Sequence, residues 1–137
     1  EKATKSLIEC AYALHFSVKD NKLHMTLIQR SGDFLTACGF GGWNVTQYAF
    51  LQHAIAKECG LDVGIFTHFV QDLHLYNKHQ KQAEEMLSRY YSMTSQEDSQ
   101  VVQIKIADKP FFELTVDDVE LIGYENMGKI DRLDVAI

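Results

Sequence analysis

Alternating residues on both sides of a short polar sequence constrain the fold of this chain more than any other feature. The apolar-face positions between residues 10 and 18 are Cys10, Tyr12, Leu14, Phe16 and Val18. The alternation resumes at Leu23, Met25 and Leu27, after the polar sequence Asp20-Asn21-Lys22. A period of two places successive side chains on opposite faces of a strand, and the intervening residues have turn chemistry. Residues 10–30 are therefore predicted to form a β-hairpin.

The remaining elements predict a mixture of helices and strands. Helical spacing of apolar residues predicts a helix over 45–59, with Asn44 as its N-cap and Gly60 as its C-cap, and another from about Asn77. Short β-prone runs predict a buried strand at 65–70 and later strands at 101–106, 111–114 and 119–124. The glycine-rich residues 31–43 are predicted to form a loop, and 94–99 a polar linker. This order predicts an α+β fold, with a mixed or antiparallel sheet packed by helices.

Composition narrows the classes of function. The 137 residues suffice for one domain with a core, and the net charge of −6 disfavours nonspecific binding to nucleic acid or to anionic membranes. Three cysteines without a CxxC pair indicate free thiols in a reducing, cytoplasmic compartment. The six histidines lack an HExxH pattern, so no metal is expected. No signal peptide or run of about 18 apolar residues is present, and the start at Glu1 indicates an excised piece.

The position of Cys10 favours two interpretations. As part of the apolar face with Tyr12 and Leu14, it is a buried and inert core cysteine. As a nucleophile, it needs a nearby positive charge to stabilise its thiolate form. Arg30 lies near Cys10 at the open end of the hairpin, although a turn centred near Asn21 places a residue close to position 32 opposite Cys10. The alternation alone leaves both interpretations open.

Two polar sequences are candidates for ligand binding. Arg30 and Ser31 leave a strand for a glycine-bearing segment, and both side chains donate hydrogen bonds of the kind that phosphate oxygens accept. The alternative is a surface arginine paired with Asp33, beside a turn serine. In the second sequence, a period of two places Asp72, His74 and Tyr76 on one face. That face is either a hydrogen-bonding surface for a ligand hydroxyl or a polar strand edge.

Together, these sequences resemble the C-terminal half of a folate-dependent thymidylate synthase, from about Leu7 to Ile137. The most specific matches are Gln29-Arg30-Ser31-Gly32-Asp33, Asn44-Val45-Thr46-Gln47-Tyr48 and Asp72-Leu73-His74-Leu75-Tyr76. Arg30 follows Cys10 by 20 residues and His74 follows Asn44 by 30, which are the family's intervals. The resemblance implies a thymidylate synthase/dCMP hydroxymethylase-like fold. It also implies that residues 1–137 are the C-terminal portion of the domain, with the N-terminal half absent.

The implied reaction converts dUMP to dTMP, with 5,10-methylenetetrahydrofolate as the one-carbon and hydride donor. The resemblance assigns the catalytic nucleophile to Cys10, which adds to C6 of uracil. It assigns the remaining contacts as follows: the 5′-phosphate to Arg30 and Ser31, the pyrimidine to Asn44, the 3′-hydroxyl to His74 and Tyr76, and a place between pyrimidine and folate to Asp33. The last residues, including Ala136, are implied to close over the ligands and contact the folate. A homodimer is implied, with no metal, specific nucleic acid or membrane as partner.

Departures from the family pattern keep two alternatives open. Ala11 follows the cysteine where the family often has His, Leu7-Ile8-Glu9 precede it where a proline is usual, and the segment from Asp33 to Asn44 is longer than in most members. These changes favour a pyrimidine-nucleotide hydroxymethylase of the same family, in which water replaces hydride. The missing half favours a non-catalytic nucleotide-binding or dimerisation fragment. Against a dCMP enzyme, the amide of Asn44 suits uracil, because it accepts from N3–H while donating to O4.

Overall fold

A computed structural model describes residues 9–38, 42–92 and 102–131. Its larger sheet contains three strands: β1 (Ala11–Lys19), β2 (Lys22–Asp33) and β3 (Asp62–His74), in that order across the sheet. β1 and β2 are antiparallel, whereas β2 and β3 are parallel. A short π-helix at Phe34–Cys38 and helix α1 (Trp43–Glu58) form the connection from β2 to β3. The predicted α+β class with a mixed sheet is confirmed.

The predicted hairpin is present, and its turn explains the register of its strands. Asp20 and Asn21 both have positive φ, at 50° and 60°, which is the two-residue turn whose twist matches that of paired strands. The strands pair regularly from Lys19↔Lys22 to Ala13↔Ile28, and the register then shifts by one residue to Ala11↔Gln29. The extra residue in β1 brings Cys10 opposite Arg30, not opposite position 32 as the sequence suggested.

Helix α1 starts earlier than predicted and is capped differently. Its N-cap is Gly42, which has a left-handed conformation with φ 57°, so Asn44 lies inside the first turn and is not the cap. The side chain of Asn44 contacts Gln29 of the sheet instead. At the other end, Gly60 has φ 65°, and Leu61 N–H donates to the carbonyl of Ala56 at 2.8 Å. These are the features of the glycine-ended helix that the sequence predicted.

Strand β3 is longer than the predicted strand at 65–70, and it is not fully buried. Phe66 and His68 lie opposite Met25 and Leu27 of β2, so they share the face that packs towards α1. The intervening Ile65 and Phe69 are 67% and 54% exposed. The core is formed largely by the α1-facing side chains of β2, with Leu35 and small residues of the helices; its apolar members are Leu23, Met25, Leu27, Leu35, Ala54, Ala56 and Ala83.

The C-terminal part of the described chain contains one helix and a second, smaller sheet. Helix α2 spans Gln80–Ser92, as the spacing from Asn77 predicted. Strands β4 (Gln103–Ile106) and β5 (Val119–Ile122) pair in antiparallel fashion. The predicted strand at 111–114 is wrong, because Phe111–Glu113 form one 3-10 turn after Pro110. The N–H of Phe111 donates to the carboxylate of Glu58 at 3.0 Å, which attaches this turn to the end of α1. The predicted linker at 94–99 lies outside the described residues.

Candidate active site

Most of the candidate residues lie at one end of the three-stranded sheet, which we call the site end. It comprises Cys10 just before β1, residues 30–33 at the end of β2, and residues 72–76 at the end of β3 and just after it. Each of the three strands is irregular there. β1 carries the extra residue described above, whereas Ser31 and Asp72 have positive φ of 53° and 55°. Ser31 and Asp72 lie beside each other, between the pairs Arg30↔Gln71 and Gly32↔Leu73. Left-handed non-glycine residues carry a conformational cost and are enriched at functional sites.

Cys10 and Arg30 are joined through the backbone. The N–H of Arg30 donates to the carbonyl of Cys10 at 2.8 Å. Cys10 is a free thiol of intermediate burial, so it is not the fully buried core cysteine of the first interpretation. Arg30 is also partly buried. This backbone pairing places Arg30 directly opposite a partly exposed cysteine.

The carboxylate of Asp33 organises the segment that leaves β2. One of its oxygens accepts a hydrogen bond from Leu35 N–H at 3.0 Å, and the other accepts from the Thr36 hydroxyl at 2.8 Å. Asp33 therefore starts the π-helix in the manner of a helix-capping aspartate. In the strand pairing, Asp33 lies opposite His74. The start of the long segment to Asn44 is thereby fixed beside the end of β3.

Asn44 belongs to a chain of polar side chains that crosses the α1-facing side of the sheet. Gln29 donates from Nε2 to the Asn44 Oδ1 at 3.2 Å, and its Oε1 is 3.0 Å from His68 Nε2. Gln29 is only 1% exposed, so both ends of its amide need partners. Because Gln29 Oε1 accepts, His68 carries its proton on Nε2. Burial lowers the pKa of His68 and favours this neutral form.

His74 and Tyr76 are in contact at the end of β3. Their rings pack edge to face with centroids 5.0 Å apart. His74 Nδ1 lies 2.9 Å from the carbonyl of Asp72 and therefore donates to it, which leaves Nε2 as an acceptor in the neutral ring. The carboxylate of Asp72 is 3.8 Å from the same Nδ1. The positive φ of Asp72 interrupts the alternation that predicted a shared face for Asp72, His74 and Tyr76.

The structure places Cys10, Arg30, Ser31, Asp33, His74 and Tyr76 at the site end and links Asn44 to β2 through Gln29, whereas Ala136 lies outside the described residues. Gln29 is part of a matched motif, but the motif predicts no role for it. No sequence pattern predicted that His68 would contact it. The signal was present, since a glutamine occupies the position that continues Leu23, Met25 and Leu27 on the apolar face. Within the described ranges, no group of three or more His, Cys, Asp or Glu side chains could hold a metal ion. No helix of that part of the chain is long and apolar enough to cross a membrane.

The mixed sheet has a cysteine and an arginine at its irregular end, and comparisons with known proteins show the family to which this chain belongs. The family model for thymidylate synthase matches residues 1–137. Thymidylate synthase of Listeria monocytogenes serovar 1/2a is 40% identical over 121 residues, which cover 87% of this chain and 35% of that protein. Thymidylate synthase of Lactococcus lactis subsp. cremoris is 36% identical, over 98% of this chain and 48% of that protein.

A solved structure gives the same result for the fold. Thermostable thymidylate synthase A from Bacillus subtilis superposes with a TM-score of 0.77 at 29% identity, over 96% of this chain and 44% of that chain. The chain belongs to the thymidylate synthase family. It spans between about a third and a half of the length of the relatives that it matches.

Proposed function

We propose that the protein to which this chain belongs is a thymidylate synthase, which methylates dUMP to dTMP with 5,10-methylenetetrahydrofolate as one-carbon and hydride donor. The observation that carries the proposal is the pairing of Cys10 with Arg30 across the first two strands, with a backbone hydrogen bond of 2.8 Å. In the proposed reaction the Cys10 thiolate adds to C6 of uracil, and C5 becomes nucleophilic enough to attack the folate methylene. Loss of the C5 proton and cleavage of the bond between the methylene and N5 of the folate leave an exocyclic methylene on C5. Hydride transfer from the resulting tetrahydrofolate, which becomes dihydrofolate, reduces this methylene to methyl, and elimination of the Cys10 thiolate from C6 releases dTMP.

The nucleotide is held by residues of β2, by residues at and just after the end of β3, and by α1. Arg30 and Ser31 bind the 5′-phosphate, for which a guanidinium fork and a hydroxyl are suitable donors. The 3′-hydroxyl of the deoxyribose donates to Nε2 of His74, the nitrogen left as an acceptor by the bond from Nδ1 to the Asp72 carbonyl. The phenol of Tyr76, packed against His74, provides a second hydrogen-bonding group for that hydroxyl. Asp33 lies between the pyrimidine and the folate.

Asn44 reads the pyrimidine ring, and the buried Gln29 orients it for that task. The bond from Gln29 Nε2 occupies one lone pair of Asn44 Oδ1 and fixes which end of the amide is oxygen. The other lone pair accepts from N3–H of uracil while Nδ2 donates to O4. Cytosine presents the opposite groups at both positions, so a fixed amide discriminates against it.

We also propose that the enzyme is a homodimer and that the sheet face opposite α1 forms the subunit interface. That face carries Ile65 and Phe69 on β3, both more than half exposed in this chain. Large apolar side chains exposed on one face of a sheet are typical of surfaces that a second copy covers. Sedimentation equilibrium of the protein as its gene encodes it tests this interface. We expect a dimer that Phe69→Lys converts to monomer, and a monodisperse wild-type monomer would contradict the proposal.

The reaction itself is tested by product analysis with dUMP and 5,10-methylenetetrahydrofolate. The full-length protein should form dTMP together with dihydrofolate, and Cys10→Ser should form neither, because a serine hydroxyl is un-ionised at neutral pH. Cys59→Ser is the matched control, since Cys59 is an exposed thiol after α1 and should be dispensable. Formation of hydroxymethyl-dUMP would assign the water-dependent reaction instead. Binding of dUMP without any product would indicate a non-catalytic nucleotide-binding module.

A further inference from the structure

Three elements each contribute one side chain to the polar chain that ends at Asn44. Asn44 lies in the first turn of α1, Gln29 in β2 and His68 in β3. The Gln29 amide lies in the middle, with Nε2 at 3.2 Å from Asn44 Oδ1 and Oε1 at 3.0 Å from His68 Nε2. Gln29 is only 1% exposed, so both ends of its amide depend on protein partners. Gln29 can therefore orient Asn44 only if Gln29 is itself oriented.

Two arrangements of the two amides satisfy both of these hydrogen bonds. In the arrangement that the structure shows, Gln29 accepts from His68 and donates to Asn44. If both amides were turned over, Gln29 would donate to His68 and accept from Asn44 Nδ2. Turning over only one amide would bring two oxygens or two N–H groups together and leave buried polar groups without partners. The two amides therefore turn over together or not at all.

The proton on the His68 ring determines which arrangement forms. A proton on Nε2 makes that nitrogen a donor, which only the Gln29 orientation in the structure can accept. An unprotonated Nε2 would instead accept from a reversed Gln29. The imidazolium form also donates from Nε2, so it favours the same arrangement as the neutral Nε2–H form. The ring of Phe66 stacks beside His68 at 16°, with centroids 6.3 Å apart, and supports the orientation of the imidazole.

The two arrangements suit different pyrimidines. With Asn44 Oδ1 bonded to Gln29 Nε2, the amide offers its oxygen to N3–H and its Nδ2 to O4, the groups that uracil presents. In the reversed arrangement, Asn44 Nδ2 would bond to Gln29 and offer its second N–H to N3. Its oxygen would then face position 4. These groups match cytosine, whose N3 accepts and whose 4-amino group donates. One exchange of donor and acceptor at His68 thus reverses the preferred base.

We propose that His68 is a positioning residue that sets the preference for uracil over cytosine, because its Nε2–H fixes the orientation of the Gln29 amide and, through it, that of Asn44. This inference rests on the proposed function, in which Asn44 binds the pyrimidine. His68 touches neither the nucleotide nor the folate in this proposal. It acts through two hydrogen bonds in series, of 3.0 Å and 3.2 Å. Selectivity for the base therefore originates in β3, two side chains away from the base itself.

The test compares His68→Gln with His68→Glu in the full-length protein at pH 8. The two side chains have the same length, but the glutamine amide can donate or accept, whereas an ionised glutamate can only accept. His68→Trp is the control, because the indole N–H can only donate. Competition between dUMP and dCMP gives the ratio of their dissociation constants. Both nucleotides carry the same phosphate, so added charge or a general weakening of binding cancels in this ratio.

We expect the preference for dUMP over dCMP to fall about tenfold in His68→Gln, which permits both arrangements, and about 100-fold in His68→Glu, which permits only the reversed one. His68→Trp should stay within about threefold of the wild type. An unchanged preference in a folded His68→Glu would overturn the proposal. Equal falls in all three variants would also overturn it, since that result indicates lost packing. If His68→Glu does not fold, the difference between His68→Gln and His68→Trp is the deciding result.

The second readout is the position of the proton on the His68 ring, measured by nitrogen-15 chemical shifts in the wild-type protein. We expect a proton on Nε2 both without ligand and with dUMP bound. A neutral ring with its proton on Nδ1 would overturn the proposal. A wild type that selects dUMP, together with variants that keep this selectivity, would overturn this inference alone. A wild type that binds neither nucleotide would overturn the proposed function and this inference with it.

Discussion

The β2–β3 ladder is interrupted at the end of the three-stranded sheet that lies next to the hairpin turn. Side chains of α1 and β2 form hydrogen bonds with the backbone groups at this interruption. The register shifts between Leu23 and Met25, where Gly64 and Ile65 lie opposite His24 alone. Gln52 of α1, 1% exposed, donates to the carbonyl of Leu23 at 2.8 Å, and His24 Nδ1 accepts from Ile65 N–H at 3.1 Å. A Cβ on Gly64 would lie 2.8 Å from the Leu23 carbonyl, so glycine is required for this close approach. We call this the turn end.

The site end is equally irregular, but its irregularities bring polar side chains together at a partly exposed edge. The extra residue in β1 and the left-handed Ser31 and Asp72 gather Cys10, Arg30 and His74 around the ends of the strands. At the turn end, a buried amide satisfies carbonyls and has no further chemistry to perform. At the site end, the buried amide of Gln29 holds Asn44, which we propose as a reader of the ligand. The same device, a buried glutamine at a sheet irregularity, thus stabilises the fold at one end and prepares recognition at the other.

The largest effect is expected from removing the cation at the site end. Arg30→Ala should weaken dUMP binding about 10- to 100-fold, because charge-assisted bonds to the phosphate are lost. Lys22→Ala, which removes a cation at the turn end of the same strand, should leave the affinity within about twofold. Isothermal titration calorimetry with dUMP, and with deoxyuridine, which lacks the phosphate, measures the affinities of both variants. Equal losses in the two variants would erase the distinction between the two ends.

Changing the proposed pyrimidine reader should alter selectivity more than stability. Asn44→Asp should weaken dUMP binding about tenfold, because a carboxylate cannot donate to O4 of uracil, and it should improve binding of dCMP, whose N4 amino group donates to the new carboxylate. Competition between dUMP and dCMP measures the change. Gln47→Glu, an exposed position on the same helix, is the control for added charge. Unchanged selectivity in Asn44→Asp would remove Asn44 from the proposed site.

Replacing the buried glutamine of the turn end should alter stability more than dUMP binding. Gln52→Met keeps the volume of the side chain but leaves the Leu23 carbonyl without its 2.8 Å donor. The free energy of unfolding should fall by about 1–3 kcal/mol, the usual cost of an unsatisfied buried acceptor, while dUMP affinity stays unchanged. Urea denaturation measures the free energy of unfolding. Titration with dUMP, at a temperature where the wild type and Gln52→Met are both folded, measures the affinity. A loss of dUMP affinity without a loss of stability would reverse the roles assigned to the two ends.

The smallest effect is a dependence of stability on pH. Burial lowers the pKa of His68, and also of His53 on α1, below 6.5. Around and below pH 6.5, the unfolded chain therefore binds more protons than the folded chain. The contribution of the two histidines to the free energy of unfolding is fully present above pH 6.5 and is lost as the pH decreases below that value. His68→Gln keeps a donor for Gln29 Oε1 and should reduce this slope, leaving the part due to His53. Thermal unfolding at pH 7.5 and 5.5 checks the prediction, and an unchanged slope in His68→Gln would contradict it.

Local patterns of the sequence predicted the elements best where propensity and burial agree. The hairpin, α1 with its terminal glycine, and α2 follow from alternation, helical spacing and turn residues within one short window. The strand expected at 111–114 failed because Glu58, more than fifty residues earlier, binds the N–H of Phe111 and stabilises a 3-10 turn. Asn44 failed as a cap because its side chain is bonded to Gln29 across the sheet. Both errors arise from contacts between distant parts of the chain.

The candidate site was predictable from motifs, but its geometry was not. The spacing of Cys10, Arg30, Asn44 and His74 identified the residues through a family resemblance. Their arrangement depends on one extra residue in β1 and on left-handed conformations at Ser31 and Asp72. Unlike glycine, serine and aspartate in a sequence do not predict a positive φ. The role of Gln29 likewise required its neighbours, since burial between Asn44 and His68 is visible only in three dimensions.

The central claim is that Cys10 is a nucleophile within a working nucleotide site. Intact mass under denaturing conditions, after incubation with 5-fluoro-dUMP and 5,10-methylenetetrahydrofolate, tests it most directly. Fluorine at C5 replaces the proton that must leave before the bond between the methylene and the folate breaks, so the covalent complex accumulates. We predict a mass increase equal to one nucleotide plus one folate on the full-length protein, absent in Cys10→Ala and retained in Cys59→Ala. No adduct on the wild-type protein, or an adduct that persists in Cys10→Ala, would contradict the account.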